Sequence, residues 1–261
     1  MSDIEKALAV FQGMSSGDSA LATKYMDPER YVEHNPHARD GVEGVKQYVD
    51  RIAASHPDLK VIRAYQDGPY VVTQADGHVQ GRGVFFDVFR FEDGRIVEHW
   101  AFSAPAGPPN TSGHTQADGP TEAAHDADTE QNKALVRDYY QTVHIEGRHH
   151  AIPRYFSGDR CVRHEPGAAD GVGAFMRDLQ ILTRDRTIDE IKLLLGQGDF
   201  VFLAARGTHR GEPCVYIDLY RVEDAKIVEH WGFPEQVPWP DARKVSSSST
   251  ATNSPGNTDG H

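Results

Sequence analysis

An aspartate and a histidine recur as a pair at two places in the chain, with the same spacing each time. Asp87 and His99 form the first pair, and Asp218 and His230 form the second. Histidine titrates near neutral pH, and a partly buried aspartate holds its tautomer and stabilises the imidazolium. Such a pair can abstract a proton next to a carbonyl, dehydrate an alcohol or activate water on an epoxide. The alternative is a purely structural hydrogen bond inside a core.

Another histidine precedes each pair, within a second repeated motif. Tyr31-Val-Glu-His34-Asn-Pro36 followed by Asp40-Gly41 returns as Cys161-Val-Arg-His164-Glu-Pro166 followed by Asp170-Gly171. His34 follows a predicted helix and precedes Asn-Pro, so we expect it in a loop or at a strand start beside the first pair. His34 and His164 are therefore candidate acid/base residues. A capping or loop-locking hydrogen bond is the alternative.

The histidines also allow a metal site. Each repeat could gather three histidines and one aspartate, namely His34, His78, Asp87 and His99, and then His164, His209, Asp218 and His230. Mixed nitrogen and oxygen ligation suits zinc or non-haem iron. No compact ligand motif such as His-Glu-x-x-His accompanies these residues. The sequence therefore favours chemistry without a metal or other cofactor.

The repeated motifs lie in the same order at nearly the same spacing, so a whole domain is duplicated. Residues 86–100 return as residues 217–231. We predict a first domain over 1–104 and a second over 129–244. The stretch 105–128 is rich in Pro, Gly, Ser, Thr and Asp and predicts a disordered linker. The Ser-rich stretch 245–261 predicts a disordered tail.

Hydrophobic periodicity predicts helices first and strands afterwards in each repeat. Ile4, Ala7 and Phe11 share one helical face, a short helix follows around 21–25, and a third helix covers 45–52. Strands are predicted at 60–64, 70–75, 78–90 and 95–102, with a hairpin turn at 92–94. This order is typical of an α+β domain with a curved antiparallel sheet.

Three helices and a bent sheet that ends in Glu98-His99-Trp100 resemble the SnoaL-like family of the nuclear transport factor 2-like superfamily, which includes polyketide cyclases. The segment from Tyr31 to Gly41 matches as well, and the resemblance covers both repeats. It implies tandem cone-shaped α+β barrel domains, each enclosing a cavity. Asp87 and His99 would face the first cavity, and Asp218 and His230 the second. The aromatic side chains then expected to bind substrate are Tyr31, Tyr48, Phe85, Phe89 and Phe102.

The repeats depart from the family at one position. The family usually ends in His-Trp-Asp, whereas Ala101 and Gly232 stand here in place of the catalytic Asp. The loss argues against aldol-type cyclisation and leaves the His/Asp residues as the acid/base candidates. Because this fold carries many activities, we expect a cofactor-independent cyclase, isomerase, dehydratase (lyase) or hydrolase acting on a small apolar or polyketide-like substrate. A non-catalytic binding protein and a metal-dependent enzyme are the alternatives.

The resemblance also bears on assembly, because members of the superfamily commonly dimerise through the outer sheet face. Trp100 and Trp231 would lie on that face, so the chain is expected to form either an intramolecular pseudo-dimer or a homodimer.

Composition narrows the partners. The net charge is −12 and no basic stripe is present, which argues against nucleic acid and anionic membranes. No signal-peptide pattern or long apolar run is present, so we expect a cytoplasmic location. Two cysteines exclude a disulfide framework. The expected partner is a small molecule.

Overall fold

Helices precede strands in each half of the chain, as the periodicity predicts. In the computed structural model, which describes residues 1–235 and Trp239, the first domain comprises α1 (Asp3–Ser16), α2 (Ser19–Thr23), β1 (Val32–Glu33), α3 (Val42–Ala53), β2 (Asp58–Asp67), β3 (Tyr70–His78), β4 (Arg82–Glu92) and β5 (Arg95–Pro105). The prediction of an α+β domain is confirmed. The strand predicted to begin at His78 begins at Arg82 instead, because residues 79–81 form a turn in which Gly81 has a φ of 138°.

The second domain follows the same order with one change in its helices. It comprises α4 (Thr129–Tyr139), a π-helix (Tyr140–Ile145), a 3₁₀-helix (His149–Arg154), β6 (Val162–Arg163), α5 (Val172–Leu182), β7 (Arg186–Gln197), β8 (Phe200–His209), β9 (Glu212–Glu223) and β10 (Lys226–Glu235). The π-helix continues α4 directly. The two tandem domains predicted from the repeats are therefore present.

Each domain has one five-stranded sheet with the same strand order. The orders are β1-β5-β4-β3-β2 and β6-β10-β9-β8-β7. The short first strand of each sheet runs parallel to the last one, so Glu33 lies opposite His99 and Arg163 lies opposite His230. This pairing brings the two repeated motifs of each domain onto neighbouring strands.

The hairpin that precedes each histidine turns through two residues with positive φ. In the first domain Asp93 and Gly94 form a two-residue loop with φ values of 50° and 71°, which is the conformation that Asp-Gly favours. The second domain uses Asp224 and Ala225 at φ values of 50° and 55°. Ala225 therefore holds a backbone conformation that costs energy for a residue with a Cβ atom.

Hydrophobic residues form three clusters. Two of them lie between helices and sheet, one in each domain. The third joins the outer faces of the two sheets, where Phe86 lies 5.7 Å from Phe202 and Tyr65 stacks on Phe200 at 6.2 Å between ring centroids. Strand side chains alternate between the two faces of a sheet. The outer residues, including Trp100 and Trp231, thus bury their surface in this third cluster.

Residues 105–128, which the sequence predicts to be a disordered linker, have backbone carbonyls that accept hydrogen bonds from polar side chains of both domains. Arg63 donates to the carbonyls of Pro120 (2.6 Å) and Asp118 (2.5 Å), and Gln74 donates to that of Gln116 (2.8 Å). The Trp231 indole also donates to the Asp118 carbonyl, at 3.0 Å. Composition did not reveal these contacts, since the partners lie far away in sequence.

The predicted domain limits stay predictions. The predicted tail, 245–261, lies outside the described residues, as does the end of the second domain beyond Trp239. Within the described part of the chain, no helix has the length and hydropathy that a membrane crossing needs.

We expect Arg63→Ala to destabilise the protein by about 2–3 kcal/mol, because the Arg63 side chain is buried and its loss leaves buried carbonyls without a donor. Denaturant unfolding would measure the change, and limited proteolysis should cut residues 105–128 faster in the variant. Arg206→Ala, at an exposed arginine, is the control and should change stability by less than about 0.5 kcal/mol. Equal stability of the two variants would contradict the role given to Arg63.

Candidate functional site

A buried histidine lies between two carboxylates in the first domain. His99, on β5, donates from Nε2 to Asp87 Oδ1 at 2.9 Å and from Nδ1 to the Glu33 carboxylate at 3.1 Å. Phe89 stacks on its ring at 4.4 Å. The Tyr31 hydroxyl donates to the second Glu33 oxygen at 2.5 Å. The sequence analysis predicted that His99 pairs with Asp87, and the structure shows that Glu33 is a second carboxylate partner of His99.

The second domain builds the same arrangement from a different residue. His230 lies 2.7 Å from Asp218 Oδ1 through Nε2 and 2.5 Å from Glu165 Oε1 through Nδ1, with Tyr220 stacked on its ring. Glu165 occupies the motif position of Asn35, whereas Arg163 stands where the first domain has Glu33. The sequence shows that the glutamate has moved by two positions between the motifs. Only the structure shows that the glutamate contacts the histidine from either position.

Both histidines are held in the charged form. Burial alone would lower the pKa of His230, but the charge of Glu165 and the hydrogen bond to Asp218 outweigh it and raise that pKa to about 9. Burial would likewise lower the pKa of His99, but Glu33 and Asp87 outweigh it and raise that pKa to about 10. In return, the charge of His230 outweighs burial and lowers the pKa of Glu165 to about 2. Each site is an imidazolium with carboxylates on both sides, which is buried for His99 and 12% exposed at its side chain for His230.

The two sites differ most in the space beside them. In the second domain, Asp218, His230 and Gly232 line an open cavity of about 510 Å³, which is within the usual size of a small-molecule site. In the first domain, Asp87 and Ala101 line a space of only about 40 Å³. The two sites could not be ranked from the sequence, whereas in the structure the second site has the larger cavity.

Residues of both domains close the small first cavity. Phe11, Met14 and Phe85 narrow it, and Glu235 enters it from the end of β10 with Oε1 3.5 Å from the Ser103 hydroxyl. Burial raises the pKa of Glu235 to about 7.

The structure splits the predicted aromatic substrate-binding set. Tyr48, Phe85 and Phe102 line the small first cavity, although Phe102 also packs in the cluster between the sheets. Tyr31 and Phe89 instead contact the Glu33 and His99 side chains. The larger second cavity has its own aromatic lining, which is formed by Tyr140, Phe175, Tyr216, Tyr220 and Phe233.

The expected position of His34 and His164 beside the His/Asp pairs is wrong. His34 bonds Glu98 at 2.8 Å and stacks on Trp100 at 4.9 Å, while His164 bonds Glu229 at 2.9 Å and stacks on Trp231 at 4.4 Å. These partners lie on the outer sheet face, because Glu98 and Trp100 alternate with His99 along β5. Neither histidine lines either of these two cavities.

The metal sets considered from the sequence do not assemble. His34 and His164 lie on the outer face, and His78 lies at the exposed end of β3. His209 lines the second cavity, but its ligand atoms do not meet those of Asp218 and His230. Within residues 1–235, the only His/Cys/Asp/Glu group close enough to share an ion is His114, Asp118 and His164, which lies apart from both cavities.

In the second domain, the His/Asp pair leaves little room for a side chain at position 232. A Cβ atom built on Gly232 would lie 2.8 Å from Asp218 Oδ1 and 3.0 Å from His230 Nε2. Such distances are too short for any side chain unless the His/Asp pair moves. The glycine therefore permits the pair's present geometry.

The π-helix contributes a residue that sequence reasoning missed. The Tyr140 hydroxyl donates to Asp218 Oδ2 at 2.9 Å, so both Asp218 oxygens have a donor. Hydrophobic periodicity did not single out Tyr140. A π-helical turn changes the helical register, and such turns occur frequently at functional sites.

Comparison with known proteins agrees with this fold. Residues 7–99 match the family model described as the SnoaL-like domain, which confirms the resemblance that the motifs indicated. The match covers most of the first domain, and the second domain repeats the strand order of the first. The chain matches none of the curated proteins with which it was compared.

Several solved structures resemble a part of the chain. A candidate ketosteroid isomerase from Kribbella flavida is 20% identical, with 51% of this chain and 96% of that chain covered and a TM-score of 0.38. IdmH from Streptomyces antibioticus, a candidate polyketide cyclase, is 22% identical, with 40% and 92% covered and a TM-score of 0.34. A cystatin-fold protein from Novosphingobium aromaticivorans is 19% identical, with 39% and 98% covered and a TM-score of 0.36.

We expect stability to fall as the pH rises through the folded-state pKa of His230, about 9. A folded-state pKa above the ordinary 6.5 means that the stabilisation is fully present below pH 6.5 and is lost through pH 9. Histidine NMR titration would locate the pKa, and unfolding at several pH values would measure the stability. Glu165→Gln should move the His230 pKa down. A wild-type value near 6.5 would contradict the assigned ion pairs.

Proposed function

We propose that the second domain is a cofactor-independent acid/base enzyme of the isomerase or cyclase type that acts on a small, largely apolar carbonyl compound. The observation that carries this proposal is the Asp218 carboxylate, bonded to the largely buried His230 imidazolium at the wall of a cavity of about 510 Å³. Aromatic and apolar side chains dominate the rest of the lining, which suits an apolar substrate body.

Asp218 is the base in this proposal. Both ring nitrogens of His230 are bonded to carboxylates, so the imidazolium has no free nitrogen with which to accept a proton. Each Asp218 oxygen accepts one hydrogen bond and keeps acceptor capacity, because a carboxylate oxygen offers two lone pairs. His230 and Tyr140 hold the carboxylate in one orientation for the proton it receives.

The proposed reaction begins with transfer of a proton from the carbon next to the substrate carbonyl to Asp218. The electrons of the broken C–H bond move onto the carbonyl oxygen and form an enolate. In a β,γ-unsaturated ketone the enolate is conjugated with the double bond, so return of the proton from Asp218 to the γ-carbon, with a shift of that double bond to the α,β position and re-formation of the carbonyl, completes an isomerisation. Attack of the enolate carbon on a second carbonyl would complete an aldol-type cyclisation, with the Asp218 proton passing to the new alkoxide, and Asp218 would then replace the base that the missing family aspartate supplies elsewhere. Both routes leave the enzyme as it began.

The first domain has a structural role in this proposal. A space of about 40 Å³ has room for little more than one water molecule. Its Asp87 and His99 then act as a buried ion pair that fixes the sheet.

A non-catalytic small-molecule binder is the second candidate. The observation that favours it is Gly232, which stands where the family resemblance places the catalytic aspartate. A binder would take up ligand in the second cavity without exchanging its protons.

We further propose that the chain is an intramolecular pseudo-dimer. The support is the cluster shared by the outer sheet faces, in which Phe86 and Phe202 meet. Light scattering at micromolar concentration should then give about 29 kDa, the mass of one chain. A stable species of twice that mass would favour the homodimer.

Asp218→Asn should abolish proton transfer, and Asp87→Asn is the matched control in the closed domain. The assay is hydrogen–deuterium exchange next to the carbonyl of 2-tetralone in D₂O, followed by NMR. We expect the Asp218 variant to lose about 10²–10⁴-fold, the contribution of a positioned base, and the Asp87 variant to keep most of its rate. Circular dichroism would check folding.

Equal exchange by wild type and the Asp218 variant would refute the assigned base. Binding of the ketone by wild type without any exchange would favour the non-catalytic candidate.

A further inference from the structure

Among the described residues, the arginine and carboxylate side chains that line the second cavity are paired, with one exception. Arg163 contacts Asp178 at 2.5 Å and Glu165 at 3.4 Å, and His230 lies between Glu165 and Asp218. Arg186, at the start of β7, also lines the cavity. Among the described residues it meets no carboxylate, and its hydrogen bond goes to His144 instead. Its charge is therefore not cancelled by an ion pair there.

A neutral histidine holds Arg186 in place. The guanidinium donates from Nη2 to His144 Nδ1 at 3.0 Å. Because arginine can only donate, His144 Nδ1 accepts, and its proton lies on Nε2, which contacts the Tyr139 hydroxyl at 3.2 Å. Burial, followed by the charge of Arg186, lowers the pKa of His144 well below its usual range. A neutral imidazole orients the guanidinium without cancelling its charge, which a carboxylate would do.

Aromatic packing adds to this arrangement. The Arg186 guanidinium carbon lies 5.3 Å from the centre of the Tyr216 ring, which is a cation–π distance. The Tyr216 hydroxyl donates to the Thr208 carbonyl at 2.7 Å, so that ring is itself fixed. Two uncharged side chains, His144 and Tyr216, therefore hold the Arg186 guanidinium in place.

The same π-helical turn holds two of the side chains that line the cavity. Tyr140 begins the turn and bonds Asp218, whereas His144 lies near its end and bonds Arg186. A segment of six residues therefore sets the proposed base and the uncancelled cation in a fixed relation. The first domain has no such turn within its described residues, and its cavity is closed.

We propose that Arg186 is a carboxylate-binding subsite, and that the second cavity takes an amphipathic molecule with one carboxylate and an apolar body. The apolar body would lie against Phe175 and Phe233. Ile181 and Leu182, large hydrophobic residues that are 65% and 41% exposed, extend the apolar lining toward solvent. This inference rests on the proposed function for its choice of cavity, but its test needs no turnover.

The test compares two probes of nearly equal shape, 2-naphthoate and 2-naphthamide, by isothermal titration calorimetry. Wild type should bind the carboxylate more tightly than the amide by about tenfold or more, since a charge-assisted bidentate contact to arginine is strong. Arg186→Gln should remove that preference while leaving the affinity for the amide unchanged. Arg186→Lys should retain part of it.

Two controls separate this inference from neighbouring effects. Arg206→Gln removes an exposed positive charge elsewhere and should leave the preference intact. Asp218→Asn removes the proposed base and should also preserve it, so failure of the proposed reaction and failure of the subsite give different results. The subsite is overturned if Arg186→Gln keeps the wild-type preference, if wild type shows none, or if neither probe binds at millimolar concentration.

Discussion

A largely buried imidazolium held between two carboxylates is the interaction on which each domain depends. Isolated buried charges are very costly, and pairing with good geometry is what makes them tolerable. The three groups come from three places, namely the segment that begins with the short parallel strand, the penultimate strand and the last strand. For His99 these are Glu33, Asp87 and the histidine's own strand. The ion pairs therefore require the short strand to dock beside the last strand, which closes the sheet around its helices.

Duplication preserved this interaction while changing the residue that provides it. The second carboxylate is Glu33 in the first domain and Glu165 in the second, two positions further along the repeated motif. Residues two apart in an extended segment face the same side, so either can reach the histidine. Arg163 now occupies the earlier position and pairs with Asp178 on α5. The same electrostatic requirement thus persists in one domain with a closed cavity and in another with an open one.

The sequence predicted most of the fold because repeats, periodicity and turn residues are local signals. Asp93-Gly94 specified its hairpin, and alternation along β5 placed His99 opposite in direction to Trp100. The predicted location of His34 was wrong because the residue belongs to no periodic pattern, so the sheet face on which its side chain lies could not be inferred. The contacts that hold residues 105–128 come from Arg63 and Gln74, which are distant in sequence. Cavity volume depends on packing between elements, and the π-helical turn at Tyr140 has no recognisable composition.

The register of the last two strands shows why the family's aspartate and Asp218 are alternatives. Asp218 pairs directly with Gly232, as Asp87 does with Ala101. Side chains at directly opposed positions approach within about 5 Å, so a carboxylate at position 232 would face Asp218 across the pair. Two carboxylates that close cannot both stay ionised without a strong rise in one pKa. A chain that keeps His230 bonded to Asp218 therefore places its cavity carboxylate on the penultimate strand, and a small residue opposite is the consequence.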